Sequence, residues 1–333
     1  MAADPNKLKV AKELSRKEIL FGVARQPGGE RLFLGASTAR VLDVDLAAEK
    51  PEAAEWEAHR GYVTSVTLAG EQVVSGAFDG KLIWWKPETG EQVRSIDAHR
   101  KWVRKLRTSP DGKHVVSVAD DMVCRVWNAE SGELVRELVG HEPMTPHHFP
   151  SMLFTCEFSP DGVHLATADK TGRILVWEFA SGKQVKELKA PLMYTWDPKQ
   201  RIHSIGGIRS LAFSPDGNSL ACGGIGQIGN IDHLGALARM EIFDWRKGER
   251  TFEFPGETYK GLVQRIAYHP DGKWMVIAGG DHNGFIQIID LETKKVIKHA
   301  KAPMHVHDFV VDESLEKIYA AGHGKVVVWT LTE

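Results

Sequence analysis

The stretch Val103–Trp127, VRKLRTSPDGKHVVSVADDMVCRVW, decides the fold. At its centre Ser109-Pro110-Asp111-Gly112 separates two segments of alternating polarity, Val103-Arg104-Lys105-Leu106 and His114-Val115-Val116-Ser117. A period of two sends successive side chains to opposite faces, which suits a half-buried strand. Proline presets φ and glycine accepts a positive φ, so Pro-Asp-Gly between two such runs reads as a β-hairpin. A third apolar run, Cys124-Arg125-Val126-Trp127, follows. The turn Ser131-Gly132 then leads into a fourth, Glu133 to Leu138, which closes on Gly140-His141.

The same order recurs on either side. Ser-Pro-Asp-Gly returns at 159–162 and 214–217, with the variant His269-Pro270-Asp271-Gly272. Leu153-Phe154-Thr155-Cys156 and Ile208-Arg209-Ser210-Leu211 precede two of these turns. Third runs ending in tryptophan recur as Leu82-Ile83-Trp84-Trp85, Ile174-Leu175-Val176-Trp177 and Val326-Val327-Val328-Trp329. The unit has four strands and a period of about 40–55 residues.

This set of motifs resembles the WD40-repeat family of β-propellers over nearly the whole chain. The resemblance implies an all-β, seven-bladed β-propeller of four-stranded antiparallel sheets. The third strands of the seven units lie at 41–43, 83–85, 125–127, 175–177, 241–243, 287–289 and 327–329. Blades are expected at about 15–59, 60–99, 100–141, 142–191, 192–257, 258–303 and 304–333 plus 7–14, within one domain spanning 1–333. The last unit lacks a fourth strand, and Leu8 to Leu14 offers a spare one. Its pairing with the last blade would close the ring and remove an exposed sheet edge. The family's buried hydrogen-bonded set is matched in blade two by His59, Ser75, Asp79 and Trp85, and in blade three by His99, Ser117, Asp121 and Trp127. Blade four keeps His141, Thr167 and Trp177, with Thr171 at the Asp position. Leu42, Phe243, Ile289 and His323 stand at corresponding places elsewhere, where apolar packing is expected to substitute.

Composition narrows the function classes. The chain has 333 residues, 42% hydrophobic and 26% charged, enough to bury a core. With 42 Lys+Arg against 44 Asp+Glu, it lacks the basic excess of a general nucleic-acid binder. No apolar run approaches bilayer-spanning length, which argues against a membrane partner or a membrane-embedded protein. Cys124, Cys156 and Cys222 are too few for a disulfide scaffold and sit in apolar runs, as buried thiols do. The start lacks a secretory signal, so a cytoplasmic protein is expected; an exported protein expressed without its signal is the alternative. Gly223-Gly224-Ile225-Gly226 lacks the lysine of a phosphate-binding loop, and Gly-x-Ser-x-Gly does not occur.

Extra residues are unevenly placed. His99 to Ser109 spans 10 positions, His141 to Ser159 spans 18 and Pro191 to Ser214 spans 23. Ser117 to Trp127 spans 10, whereas Cys222 to Phe243 spans 21. With the four strands of a unit lettered a to d in chain order, the excess falls at 142–151, 192–206 and 224–238, over blades four and five and on the face that carries the d–a and b–c loops. Loops beyond ordinary connection lengths are more often functional or disordered, and a functional role is expected here over tolerated surface loops.

Aligning the first strands places Tyr62, Trp102, Arg104, Phe154, Arg209 and His307 at the mouth of the central channel, with Phe78, Lys170 and His282 on b–c turns. Aromatics mixed with arginine are the composition of a protein-binding hot spot, and Arg104 and Arg209 suit a carboxylate. The competing expectation for Trp102 is packing against the next blade. The expected function is therefore a non-enzymatic scaffold, without cofactor, for a protein or peptide bearing an acidic or carboxyl-terminal group. The rival is a metal-dependent enzyme or small-ligand binder using His233, Asp281, His282, His305 and His307. No compact ligand motif supports it, and solvated or packed histidines are the plain alternative.

Overall fold

The computed structural model describes residues 3–199 and 201–333. The four Pro-Asp-Gly turns form hairpins as expected, and their glycines, 112, 162, 217 and 272, take φ between 69° and 73°. In the first of them the Ser109 hydroxyl donates to Asp111 at 2.5 Å, and Gly112 N–H donates to Ser109 O at 2.8 Å. The same serine–aspartate contact recurs at Ser159–Asp161 and Ser214–Asp216. The serine hydroxyl, aided by backbone N–H groups, holds Asp111, Asp161 and Asp216 below the usual aspartate range.

The fold is an all-β propeller of four-stranded antiparallel sheets. Two short 3₁₀ turns, Pro5–Lys7 and Pro191–Met193, are its only helical elements among the described residues. Those residues build six sheets of four or more strands, where seven separate blades are expected. The difference lies in a six-stranded sheet ordered Val306–Val311, Lys317–Thr330, Lys9–Arg25, Arg31–Ala36, Arg40–Asp45, Ala53–Glu57. Lys9–Arg25 runs unbroken, so it joins the strands expected of the last blade to those of the first. Its N-terminal half pairs Lys9 with Thr330, Val10 with Trp329 and Leu14 with Val326, the pairing expected for the spare strand.

The contacts divide the chain into two compact units. The first comprises Met1–Ser117, Val126–Val135 and Val306–Glu333. It contains the six-stranded sheet and blade two, built from Val63–Ala69, Gln72–Ala77, Lys81–Lys86 and Glu91–Asp97. Leu20, Leu34, Leu42, Val326 and their neighbours form one of its cores, and Val74, Trp84, Leu106 and Trp127 another. Lys105 and Asp308 form a nearly buried ion pair inside this unit, at 2.6 Å.

The second unit comprises Val118–Arg125 and Arg136–His305. It holds three four-stranded sheets: Leu153–Phe158 to Gln184–Lys189, Ser210–Phe213 to Glu249–Phe254, and Leu262–Tyr268 to Lys295–Ala302. They are blades four, five and six. The hairpin Tyr194–Asp197/His203–Gly206 is added to them. The sheet ordered Leu134–Val139, Val123–Asn128, His114–Ala119, Val103–Thr108 has residues in both units. Cys124, Cys156 and Cys222 are buried, and burial pushes the Cys124 and Cys222 thiols well up, as suits packed rather than reactive sulfur.

Candidate functional site

Blade two shows how the sheets hold their loops. The Trp85 indole N–H donates to the Ser75 hydroxyl at 2.8 Å, and that hydroxyl lies 2.7 Å from His59 Nε2. His59 Nδ1 faces Asp79 at 3.0 Å; a carboxylate only accepts, so Nδ1 carries the proton. Asp79 also accepts from the backbone N–H groups of Arg60 (2.8 Å) and Lys81 (3.0 Å). Burial pushes Asp79 up, yet the His59 hydrogen bond, the backbone N–H groups and the charge on His59 hold it below the usual range. The strand core is thereby tied to residues 60 and 81, and the segments carrying Tyr62 and Phe78 follow. Phe78 N–H donates to Tyr62 O at 3.0 Å.

On this frame the first unit assembles an unbroken line of rings. Trp102 stacks on Phe78 at 4.0 Å and 4°, Phe78 meets Tyr62 at 5.3 Å, and Tyr62 stacks on Phe21 at 5.5 Å. Phe21 meets His307 at 5.1 Å, and His307 meets His323 at 4.8 Å. The Arg104 guanidinium lies over both Trp102 and Phe78, at 5.2 and 5.4 Å. Trp102 and Tyr62 are each 46% exposed, while Trp102, just before the first strand of blade three, packs on Phe78 of blade two as its competing expectation has it. Arg60, Arg100 and Lys101 beside them are exposed.

Three other expected site residues gather in the second unit, and more deeply. Phe154 is 8% exposed and lies under the Arg209 guanidinium, 3.3 Å from its ring centre. Lys170 is buried and donates through Nζ to Pro150 O at 3.3 Å. Gly207 (φ 101°) sits against both: a Cβ there would come within 2.7 Å of Lys170 Cα and 2.8 Å of the Phe154 ring. His282 stands apart, its side chain 91% exposed and 4.0 Å from Asp281. Of the residues proposed around an ion, His233 is exposed and His305 buried. His233, Asp281 and His282 belong to no group of three or more such side chains with donor atoms within 4.8 Å of one another, among the described residues.

In blade four the expected carboxylate position is wrong by two residues. Asp169, not the residue 171 position, meets His141 Nδ1, at 2.7 Å, while His141 Nε2 and the Trp177 indole converge on the Thr167 hydroxyl at 2.9 Å each. The Thr171 hydroxyl serves Asp169 instead, donating to it at 2.7 Å alongside the N–H groups of residues 171 and 173. Counting four residues from Thr167 misses this, because the side chain at the strand's end reaches the same histidine from a different backbone position.

The three long loops meet within the second unit. His147 stacks on Trp196 (3.7 Å, 15°) and more loosely on Tyr194 (5.7 Å, 15°), joining the first loop to the hairpin. Ile228 N–H donates to the Thr195 hydroxyl at 2.9 Å, and Arg201 pairs with Asp232, joining the hairpin to the third loop. Ile205 packs against Ile225, Ile228 and Leu262. Between the first loop and the outer strands of blade four lies a pocket of about 530 Å³. It shares no lining residue with the Phe154–Lys170–Arg209 group.

The WD domain, G-beta repeat family matches residues 90–128, 132–178 and 197–227, and the anaphase-promoting complex subunit 4 WD40 domain family matches 236–310. Together these matches cover more than half the chain, and with the repeat geometry they show that the chain belongs to the WD40-repeat β-propellers. Propellers of this class are commonly protein-interaction scaffolds. No curated protein matches the chain. No helix among the described residues is long and apolar enough to cross a membrane.

Proposed function

We propose that this WD40 propeller is a non-enzymatic platform that captures a protein or peptide on the ring line of its first unit. The observation that carries the reading is the Trp102–Phe78 stack capped by Arg104, with Trp102 half exposed. Rigid aromatic rings bury large area at small entropic cost, and an arginine held over them is preoriented for a carboxylate. Arg60, Arg100 and Lys101 add positive charge beside the rings, which favours an acidic segment or a chain-terminal carboxylate. Tyr62 and Phe78 extend the apolar contact towards His307. Within the second unit, taken by itself, Arg209 lies stacked on Phe154 and is suited to an anionic group of its own.

The test is the pair Trp102→Ala and Arg104→Ala in the full chain. Capture of binding proteins from the source organism should be abolished while thermal unfolding stays nearly unchanged. Loss of the fold, or undiminished capture by a folded double variant, would refute the assignment.

A further inference from the structure

We infer that the pocket of the second unit is a separate binding site, and that its occupant is a basic side chain, lysine or arginine, on an extended peptide. The pocket is prebuilt. Its loop is stitched by Thr145 N–H to Phe149 O (2.7 Å), Phe149 N–H to the Thr145 hydroxyl (3.1 Å) and Ser151 N–H to Pro143 O (3.0 Å), and Thr145 itself is 3% exposed. The opposite wall is held by the His141–Asp169–Thr171 chain. A volume near 530 Å³ falls within the range of about 300–1,000 Å³ typical of ligand sites.

The lining determines the chemistry. Met144, Pro146, Pro191 and Tyr194 supply an apolar and aromatic wall, against which the methylene stem of a long side chain can lie. Three carboxylates, Glu142, Asp169 and Glu187, stand against two cations, Arg173 and Lys189. Arg173 is already committed, at 2.8 Å to Glu187 and 2.6 Å to Gly140 O, and Lys189 lies 3.3 Å from Glu187. Asp169 is saturated by His141, Thr171 and the residue 173 N–H. Glu142 is exposed on the loop and lies close enough to Arg173 for its charge to be felt there. The Glu142 carboxylate, left without a direct ion pair among the described residues while both cations lie against Glu187, and the Tyr194 ring both favour a cation, the ring through its π face. A peptide carrying an acidic residue would meet the wrong sign. This site is thus opposite in sign to the arginine-capped rings of the first unit, and it does not depend on them.

Titration of the full chain with acetylated, amidated pentapeptides separates the outcomes. The central residue is arginine, norleucine or glutamate among alanines, followed by calorimetry and by fluorescence. The arginine peptide should bind about tenfold more tightly than either of the others, the scale of one charge-assisted hydrogen bond. Glu142→Gln, a change on an exposed loop, should weaken it about fivefold, and Tyr194→Ala should weaken it further. The Trp102→Ala/Arg104→Ala variant should bind it as the unaltered chain does, whether or not the first-unit reading stands. Equal binding of the norleucine or glutamate peptide, no effect of Glu142→Gln, loss of binding in the Trp102/Arg104 variant, or no binding up to about 5 mM would each overturn the proposal.

Discussion

Blades two and five fill the same position with different chemistry. In blade two Ser75 pairs across the sheet with Ile83, and the serine hydroxyl anchors His59, Trp85 and, through the histidine, Asp79. In blade five the equivalent pair is Cys222 and Glu241. Glu241 is fully buried and carries an ionic network: Arg239 donates to it at 2.8 Å and to Glu253 at 2.6 Å, and Arg250 donates to Glu241 at 3.1 Å. The hydrogen-bonded chain ends on a carboxylate that grips two backbone N–H groups, Arg60 before the first strand of the blade and Lys81 after the turn at 78–80. The ionic network stays among side chains of adjacent strands. Only the first arrangement carries order from the sheet into a loop. Both candidate sites are held by such chains, the ring line by His59–Asp79 and the peptide pocket by His141–Asp169.

The comparison can be broken at its charged end first. Glu241→Ala should cost about 3–5 kcal/mol in chemical denaturation, because Arg239 is left buried with one partner fewer. A loss below about 1 kcal/mol would show that the network is solvated and contributes little. Ser75→Ala removes the acceptor of Trp85 and the partner of His59 together. About 2–4 kcal/mol is expected, from about 1–3 kcal/mol for each buried group left unsatisfied. The same change should loosen the turn at Phe78, seen as faster amide exchange at residues 78–81; unchanged exchange there would separate the chain from the loop it is said to hold.

A pH series sharpens the difference further. Burial opposes the charge on Asp169, but the His141 hydrogen bond and charge and the Thr171 hydroxyl and N–H outweigh it, so the folded carboxyl lies below its ordinary 3.8. A depressed folded value means that the native state binds the proton less readily than the unfolded chain. The stability that Asp169 contributes is therefore complete above about 3.8 and is lost as pH falls from there through the folded value. Asp169→Asn should cost about 1–2 kcal/mol at neutral pH, with the gap to the unaltered chain closing below that range. A gap that stays constant into acid would remove the carboxylate from the account.

Much of the fold is legible in the chain itself. Alternation and Pro-Asp-Gly turns are local, so hairpins, the repeat period and the spare strand at Leu8 to Leu14 can be read directly. The excess residues at 142–151, 192–206 and 224–238 are equally visible. Their coalescence is not, since His147 meets Trp196 and Thr195 meets Ile228 across dozens of residues. Tyr62 and Trp102 are legible as a pair because strand alignment places them at equivalent positions, with Arg104 two places further on and Phe78 on the adjoining turn. Phe154 and Lys170 are read from the first strand and the b–c turn of blade four, yet both pack against Gly207, and Phe154 against Arg209, on the connection between His203–Gly206 and Ser210–Phe213.

Sequence alone determined the strand pattern and its punctuation, because period and turn preference are set by the backbone conformations that neighbouring residues allow. Only the tertiary structure decided that Asp169 rather than its neighbour two places on would serve His141, that the first and last sheets would run together through one long strand, and that Glu241 would lie buried among arginines. The first and last of those outcomes depend on side chains reaching across strands, where distance and desolvation choose among partners that sequence spacing leaves equivalent, and the middle one on backbone pairing carried along one continuous strand.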